Sequence, residues 1–100
     1  MTREQARIDR ERSVAIEQSS ADRDLEKAIA LNEAARRAHD ATQEALRMSR
    51  ESFEQGLITS LDLLQAERAE RQAESQRRRA ELGLWSARFD QRRSLGLPPL

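Results

Sequence analysis

Three groups of residues in this 100-residue chain could carry chemistry. The first is its one histidine, His39, next to Asp40. An imidazole can serve as a general base or a metal ligand, but either role needs partners that orient or complete it. The chain has no cysteine and no second histidine to join it. A solvated position on a helix is therefore the expectation for His39. The second group is basic: Arg77-Arg78-Arg79 and Arg92-Arg93. Arginine clusters can contact phosphate. Here Glu74, Glu81 and Asp90 interleave with them, and no nucleic-acid motif accompanies them. Cations late in a helix also complement its dipole, so no nucleic-acid partner is expected. There is neither a glycine-rich phosphate loop nor a G-x-S-x-G nucleophile motif. The reading is of a protein that is not an enzyme and that needs no metal or cofactor.

The third group is the run Ser52-Phe53-Glu54-Gln55-Gly56-Leu57-Ile58-Thr59-Ser60-Leu61-Asp62-Leu63-Leu64. Residues 1–55 hold no glycine and no proline, so Gly56 is the first strong punctuation. Glycine can take the left-handed conformation that ends a helix. Thr59 or Ser60 can cap the next helix through its hydroxyl. Asp62 then falls in the first turn, where the dipole favours a carboxylate. Leu57 and Ile58 are apolar at a turn where solvent is expected. They either fold back onto Leu61 and Leu64 or meet a partner.

The elements that position this turn are two long helical patterns. In the first, Ala28, Ala35, Thr42 and Ser49 recur every seven residues. Leu31, Ala38, Ala45 and Ser52 recur likewise, offset by three. That is an a/d seam of small side chains. Ala34, Ala41 and Met48 flank it on one side and Leu46 and Phe53 on the other. A face this broad implies more than one neighbouring helix. In the second pattern Ala66, Ala73, Ala80 and Ala87 recur every seven, accompanied by Ala69, Gln76 and Gly83. Gly83 inside a helix costs about 1 kcal/mol relative to alanine, so a close backbone approach is expected there. Trp85 and Phe89, one turn apart, read as an anchor at the base of the hairpin.

The expected fold class is all-α: one long antiparallel helical hairpin, coiled-coil-like, over residues 1–97. Its first helix should span about 3–54, its glycine-containing tip 55–59 and its second helix about 60–95, with 98–100 as a tail. Ser19 and Ser20, with Asp22 and Asp24 beyond, could start a fresh helix; a continuous helix is the preferred reading. Gly96 should end the second helix, with Pro98-Pro99 forbidding continuation. At ~1.5 Å per residue the arms should measure about 75 and 50 Å, so the first should overhang.

Composition agrees with this. Charged residues make up 36 % of the chain and aromatics 3 %, and the formal net charge is zero. Such a chain forms helices readily but encloses little core. Its packing should be finished by other chains or by other parts of a larger protein. A net charge of zero gives no global pull toward nucleic acid or membrane. No apolar run is long enough to span a bilayer, and the first residues lack the apolar stretch of a secretory signal.

Phe53-Glu54-Gln55-Gly56-Leu57-Ile58-Thr59-Ser60-Leu61-Asp62-Leu63-Leu64-Gln65-Ala66-Glu67-Arg68 resembles the signature of the TolC-like outer-membrane factors. Their pattern is an aromatic residue, two spacers, Gly, an apolar residue, Thr/Ser, then Asp-Leu-Leu-x-Ala-x-Arg. Trp85-Ser86-Ala87-Arg88-Phe89-Asp90, followed by Ser94-Leu95-Gly96, is similar to the close of that family's second repeat. The resemblance covers roughly Ala28 to Gly96. It implies a periplasmic hairpin of a trimeric channel for efflux or type I secretion. A β-barrel in the outer membrane and another helical repeat would have to come from outside these residues. Hairpin tips in such proteins meet the hairpin of a periplasmic adaptor protein.

Carried over position by position, Gly56, Leu57, Thr59, Ser60 and Leu61 fall in the adaptor-docking tip. Asp62 matches the first of two aspartates that ring the entrance in some members, and the second position is Gln65. Ile58 stands where some members carry a gate-locking arginine. A charged gate is thus less supported than docking. The helix-packing seam is assigned to Ala28, Leu31, Ala35, Ala38, Ala45, Ala66, Ala73, Ala80 and Ala87. The competing reading is a stand-alone cytosolic coiled-coil scaffold or oligomerisation module.

Overall fold

The computed structural model describes residues 2–96. The expected proline stop at Pro98-Pro99 and the tail 98–100 lie outside the described residues. Two helices form an all-α antiparallel hairpin: α1, Arg3–Glu54, and α2, Ser60–Ser94. Each is rich in Ala, Arg, Glu and Gln, strong helix formers, and α1 has no glycine or proline to break it. Thr2 starts α1, its Oγ1 accepting the Gln5 N–H at 3.2 Å. Ser19 and Ser20 do not interrupt the helix.

The chain divides into two compact units. One, here the tip unit, is Ala30–Leu82; the other, the terminal unit, joins Met1–Ile29 to Gly83–Leu100. Each unit is built the same way, from one segment of each helix.

In the tip unit, the α1 residues turned from solvent are Asn32, Ala35, His39, Thr42, Leu46, Ser49 and Ser52. Their α2 counterparts include Leu63, Ala66, Glu70, Ala73, Arg77 and Ala80. Up to Ser49 on α1 and throughout α2 the steps alternate three and four, as a coiled-coil seam requires. In the terminal unit, Gln18, Ala21, Leu25 and Ala28 face inward from α1, and Leu84, Ala87, Gln91 and Ser94 from α2. There the Gln91 amide donates to Asp22 Oδ1 at 3.0 Å, and the Gln18 amide reaches the Ser94 carbonyl at 3.5 Å.

The small tracks Ala28, Ala35 and Ala66, Ala73, Ala80, Ala87 lie in the seam. The companion tracks, Ser52 apart, do not. Leu31 is 60 % exposed, and Ala38 and Ala45 are exposed too. So are Ala69, Gln76 and Gly83. The companion of the small track stands four residues after it rather than three. It holds the larger side chains: Leu25, Asn32, His39 and Leu46 on α1, and Leu63, Glu70, Arg77, Leu84 and Gln91 on α2. The physical reason is area. A leucine gains about 1.5–3 kcal/mol on full burial, far more than an alanine, and Leu46 and Leu84 are among the most buried apolar residues. Alanine on the other track keeps the seam narrow.

Among the described residues no side chain is fully shielded from solvent. A two-helix seam is thin, as the composition implied. No described helix is long and apolar enough to cross a membrane.

Two further expectations are corrected. A methyl group built on Gly83 meets nothing within 4 Å, so no backbone of this chain approaches it. Trp85 and Phe89 are close to half exposed, 46 % and 43 %, and lie outside the buried seam of Leu84 and Ala87 rather than anchoring it. Their positions fall on the outer side of α2, away from Leu84 and Ala87. The Arg88 guanidinium stacks over Trp85, 5.7 Å from the ring centroid, a cation–π contact.

Candidate functional site

The tip is built by two caps placed back to back. Gly56 has φ +74°, a conformation that side chains with a Cβ rarely adopt. Its N–H donates to the Phe53 carbonyl at 3.0 Å, and the Leu57 N–H donates to the Ser52 carbonyl at 2.8 Å. These are the paired bonds of a Schellman motif, which satisfy the last carbonyls of α1. Three residues on, Thr59 Oγ1 accepts the Asp62 N–H at 3.2 Å, while Asp62 Oδ2 accepts the Thr59 N–H at 3.1 Å. That reciprocal capping box starts α2. Thr59, not Ser60, is the cap.

The double cap fixes what the tip presents. Leu57 is 71 % exposed, and Leu61 is exposed as well. Ile58 is half-buried. So of the two apolar turn residues one is partly covered and the other stands in solvent. An open hollow of about 350 Å³ lies on the first turns of α2, lined by Ser60, Leu61, Leu63, Leu64 and Glu67. Gln65 is exposed one turn along α2 from Leu61. Asp62 has a structural occupation in the capping box, which accounts for a carboxylate at that position without a pore.

A second cluster lies in the seam of the same unit. His39 was expected in solvent, yet it is only 8 % exposed. It occupies the large-side-chain track, between Asn32 and Leu46, so the heptad carries it inward. Its Nε2 lies 2.9 Å from Glu70 Oε1, across the hairpin. The Thr42 hydroxyl donates to the His39 carbonyl at 2.9 Å. Glu74, one turn beyond Glu70, completes a group of three whose potential ligand atoms lie within 4.8 Å of one another. Periodicity could have found it: His39 and Glu70 each sit four residues after a small-track alanine, at Ala35 and Ala66.

Several other charges pair locally. Arg77 reaches Glu81 at 3.4 Å, Arg78 reaches Glu74 at 2.8 Å, and Arg93 reaches Asp90 at 3.0 Å. Arg47 binds Glu44 at 2.6 Å and Glu51 at 3.4 Å. The hydrogen bond from Arg47, with its charge, holds the Glu44 carboxyl below the usual carboxylate range. The same contacts raise Arg47. These are solvated i,i+3 and i,i+4 pairs.

Comparison with known proteins returns no match to a family model, a curated protein or a solved structure.

Proposed function

We propose that this hairpin is a periplasmic α-helical-barrel segment of a trimeric outer-membrane channel for efflux or type I secretion, its tip docking on the hairpin of a periplasmic adaptor. The observation that carries the reading is the tip. Two successive caps shape a turn that leaves Leu57 and Leu61 in solvent, at the positions where the TolC-like signature places its docking residues. Exposed leucines on a rigid turn cost solubility and gain nothing within the chain, which fits a contact made with another protein.

A second support lies on α1. Leu31, Ala34, Ala38, Ala41, Ala45 and Met48 are all exposed, carry no charge and repeat at steps of three and four. This is a second seam beside the first. A helix with two adjacent seams can pack against two neighbours, as the staves of a helical barrel must. On this reading Leu57, Thr59, Ser60 and Leu61 touch the adaptor, and Gly56 shapes the turn. Gln65 and Asp62 face the entrance.

The test uses Leu57→Asp in the full-length channel, since Leu57 is exposed and its loss leaves both caps intact. Transport should be abolished while the trimer is made in normal amount. Normal transport by the variant overturns the docking role. The second seam fits a cytosolic coiled-coil scaffold equally well, and on that reading the tip substitution is silent in every assay.

A further inference from the structure

We propose that His39, Glu70 and Glu74 form a binding site for a first-row divalent cation of the zinc type, set in the seam of the tip unit. The proposal does not rest on the channel reading. It starts from a mismatch between the position and its occupant. The nearest members of the seam are Ala35, Thr42, Leu46, Ala66 and Ala73, small or apolar, with the polar Asn32 and Arg77 one heptad away on the tracks of His39 and Glu70. An imidazole about nine-tenths buried among them is a poor choice for packing alone. It is turned onto carboxylates rather than onto apolar side chains.

The carboxylates repeat the mismatch. Glu70 and Glu74 are one turn apart on α2, where like charges repel. Both reach toward the same imidazole, and the three ligand atoms lie within 4.8 Å of one another. A dication placed among them relieves the repulsion and takes one nitrogen and two oxygens as ligands. That mixed donor set suits Zn²⁺, Co²⁺ or Ni²⁺ better than Ca²⁺ or Mg²⁺, which take oxygen alone. The 2.9 Å between His39 Nε2 and Glu70 Oε1 is a hydrogen-bond distance, and the pair has to open by only about 0.4 Å to become adjacent ligands of a tetrahedral ion bound at about 2.0–2.1 Å. Glu74 closes the third side by turning its own flexible side chain.

The surroundings fit as well. The Arg78 guanidinium bonds one oxygen of Glu74 at 2.8 Å and leaves the other for the ion. Such an outer partner orients a ligand and holds its charge. Three protein ligands leave at least one coordination position for water. The ion would tie α1 to α2 at a layer where the seam has no leucine.

The full chain is titrated with Zn²⁺ by calorimetry and with Co²⁺ by visible absorption. Helix content of each variant is checked by circular dichroism. One ion should bind per chain, saturably, and excess Zn²⁺ should raise the melting temperature. Glu74→Gln leaves the His39–Glu70 hydrogen bond in place and should weaken binding about tenfold or more. His39→Gln should abolish it. Because His39 is the only histidine, its ring signals in the NMR spectrum of the unmodified chain should shift with one equivalent of Zn²⁺. This readout needs no variant. Absence of saturable binding overturns the proposal, as does binding that survives His39→Gln or leaves the ring signals in place. In those cases the imidazole is only Glu70's hydrogen-bond partner.

Discussion

Asp62 has two readings at the scale of the residue, and its geometry separates them. A carboxylate at a pore entrance works through its charge. A carboxylate in a capping box works through one oxygen, which accepts the N–H of the residue three before it. Asp62 Oδ2 does the latter for Thr59, and Thr59 Oγ1 returns the bond. Each bond satisfies a backbone donor that has no partner within the helix. Thr59→Ala should therefore destabilise the isolated chain by about 1 kcal/mol in urea unfolding, and Asp62→Ala should do comparable damage. Because the two bonds form one device, the double variant should lose less than the sum of the single losses. Strict additivity would show that the two side chains act independently. Any pore role for Asp62 must coexist with this one.

For the elements, the central point is which heptad track each helix buries. The hairpin, its turn at Gly56 and the alanine tracks were legible in the sequence. Long glycine-free runs, a single breaker and seven-residue spacing leave few alternatives. The companion tracks were not legible. Beside any small-residue track lie two candidates, one three residues on and one four. Leu31, Ala38 and Ala45 looked like core because they are apolar. Asn32, His39, Glu70 and Arg77 did not, because they are polar. The leucines of their tracks decide the matter by the area they bury, and the polar residues are carried in with them. His39 was misread for the same reason, and with it the seam cluster. The error also bears on Gly83, which shares a track with Ala69 and Gln76 on the outer side of α2. With nothing near its missing methyl, Gly83→Ala should stabilise the isolated chain by about 1 kcal/mol, through helix propensity alone. Thermal unfolding in dilute solution checks this. A loss of stability would mean that a neighbour comes close to Gly83 even there.

In the whole molecule, each helix carries a face that the chain itself leaves uncovered. On α1 it is the run from Leu31 to Met48. On α2 the residues Gln65, Ala69, Gln72 and Gln76 are exposed and uncharged. Elsewhere the surface is crowded with arginine and carboxylate pairs, so two uncharged stripes call for an explanation. Small, neutral side chains let helix axes approach closely, and glutamine can hydrogen-bond across such a contact. Self-association through these stripes is common to the channel and scaffold readings, so it is tested apart from the tip. Ala41→Glu sets a charge in the middle of the α1 stripe while keeping a strong helix former. If copies of the chain pack there, the variant buries an unpaired carboxylate, at a cost of about 3 kcal/mol or more. That corresponds to association weakened by roughly a hundredfold. Sedimentation of the two proteins at matched helix content measures it. The unmodified chain should form a discrete oligomer that Ala41→Glu dissociates, and Leu57→Asp should leave that oligomer untouched. Equal sedimentation of the unmodified and Ala41→Glu chains would remove the α1 stripe as a contact. The α2 stripe and the tip would then be the surfaces left to support a protein partner.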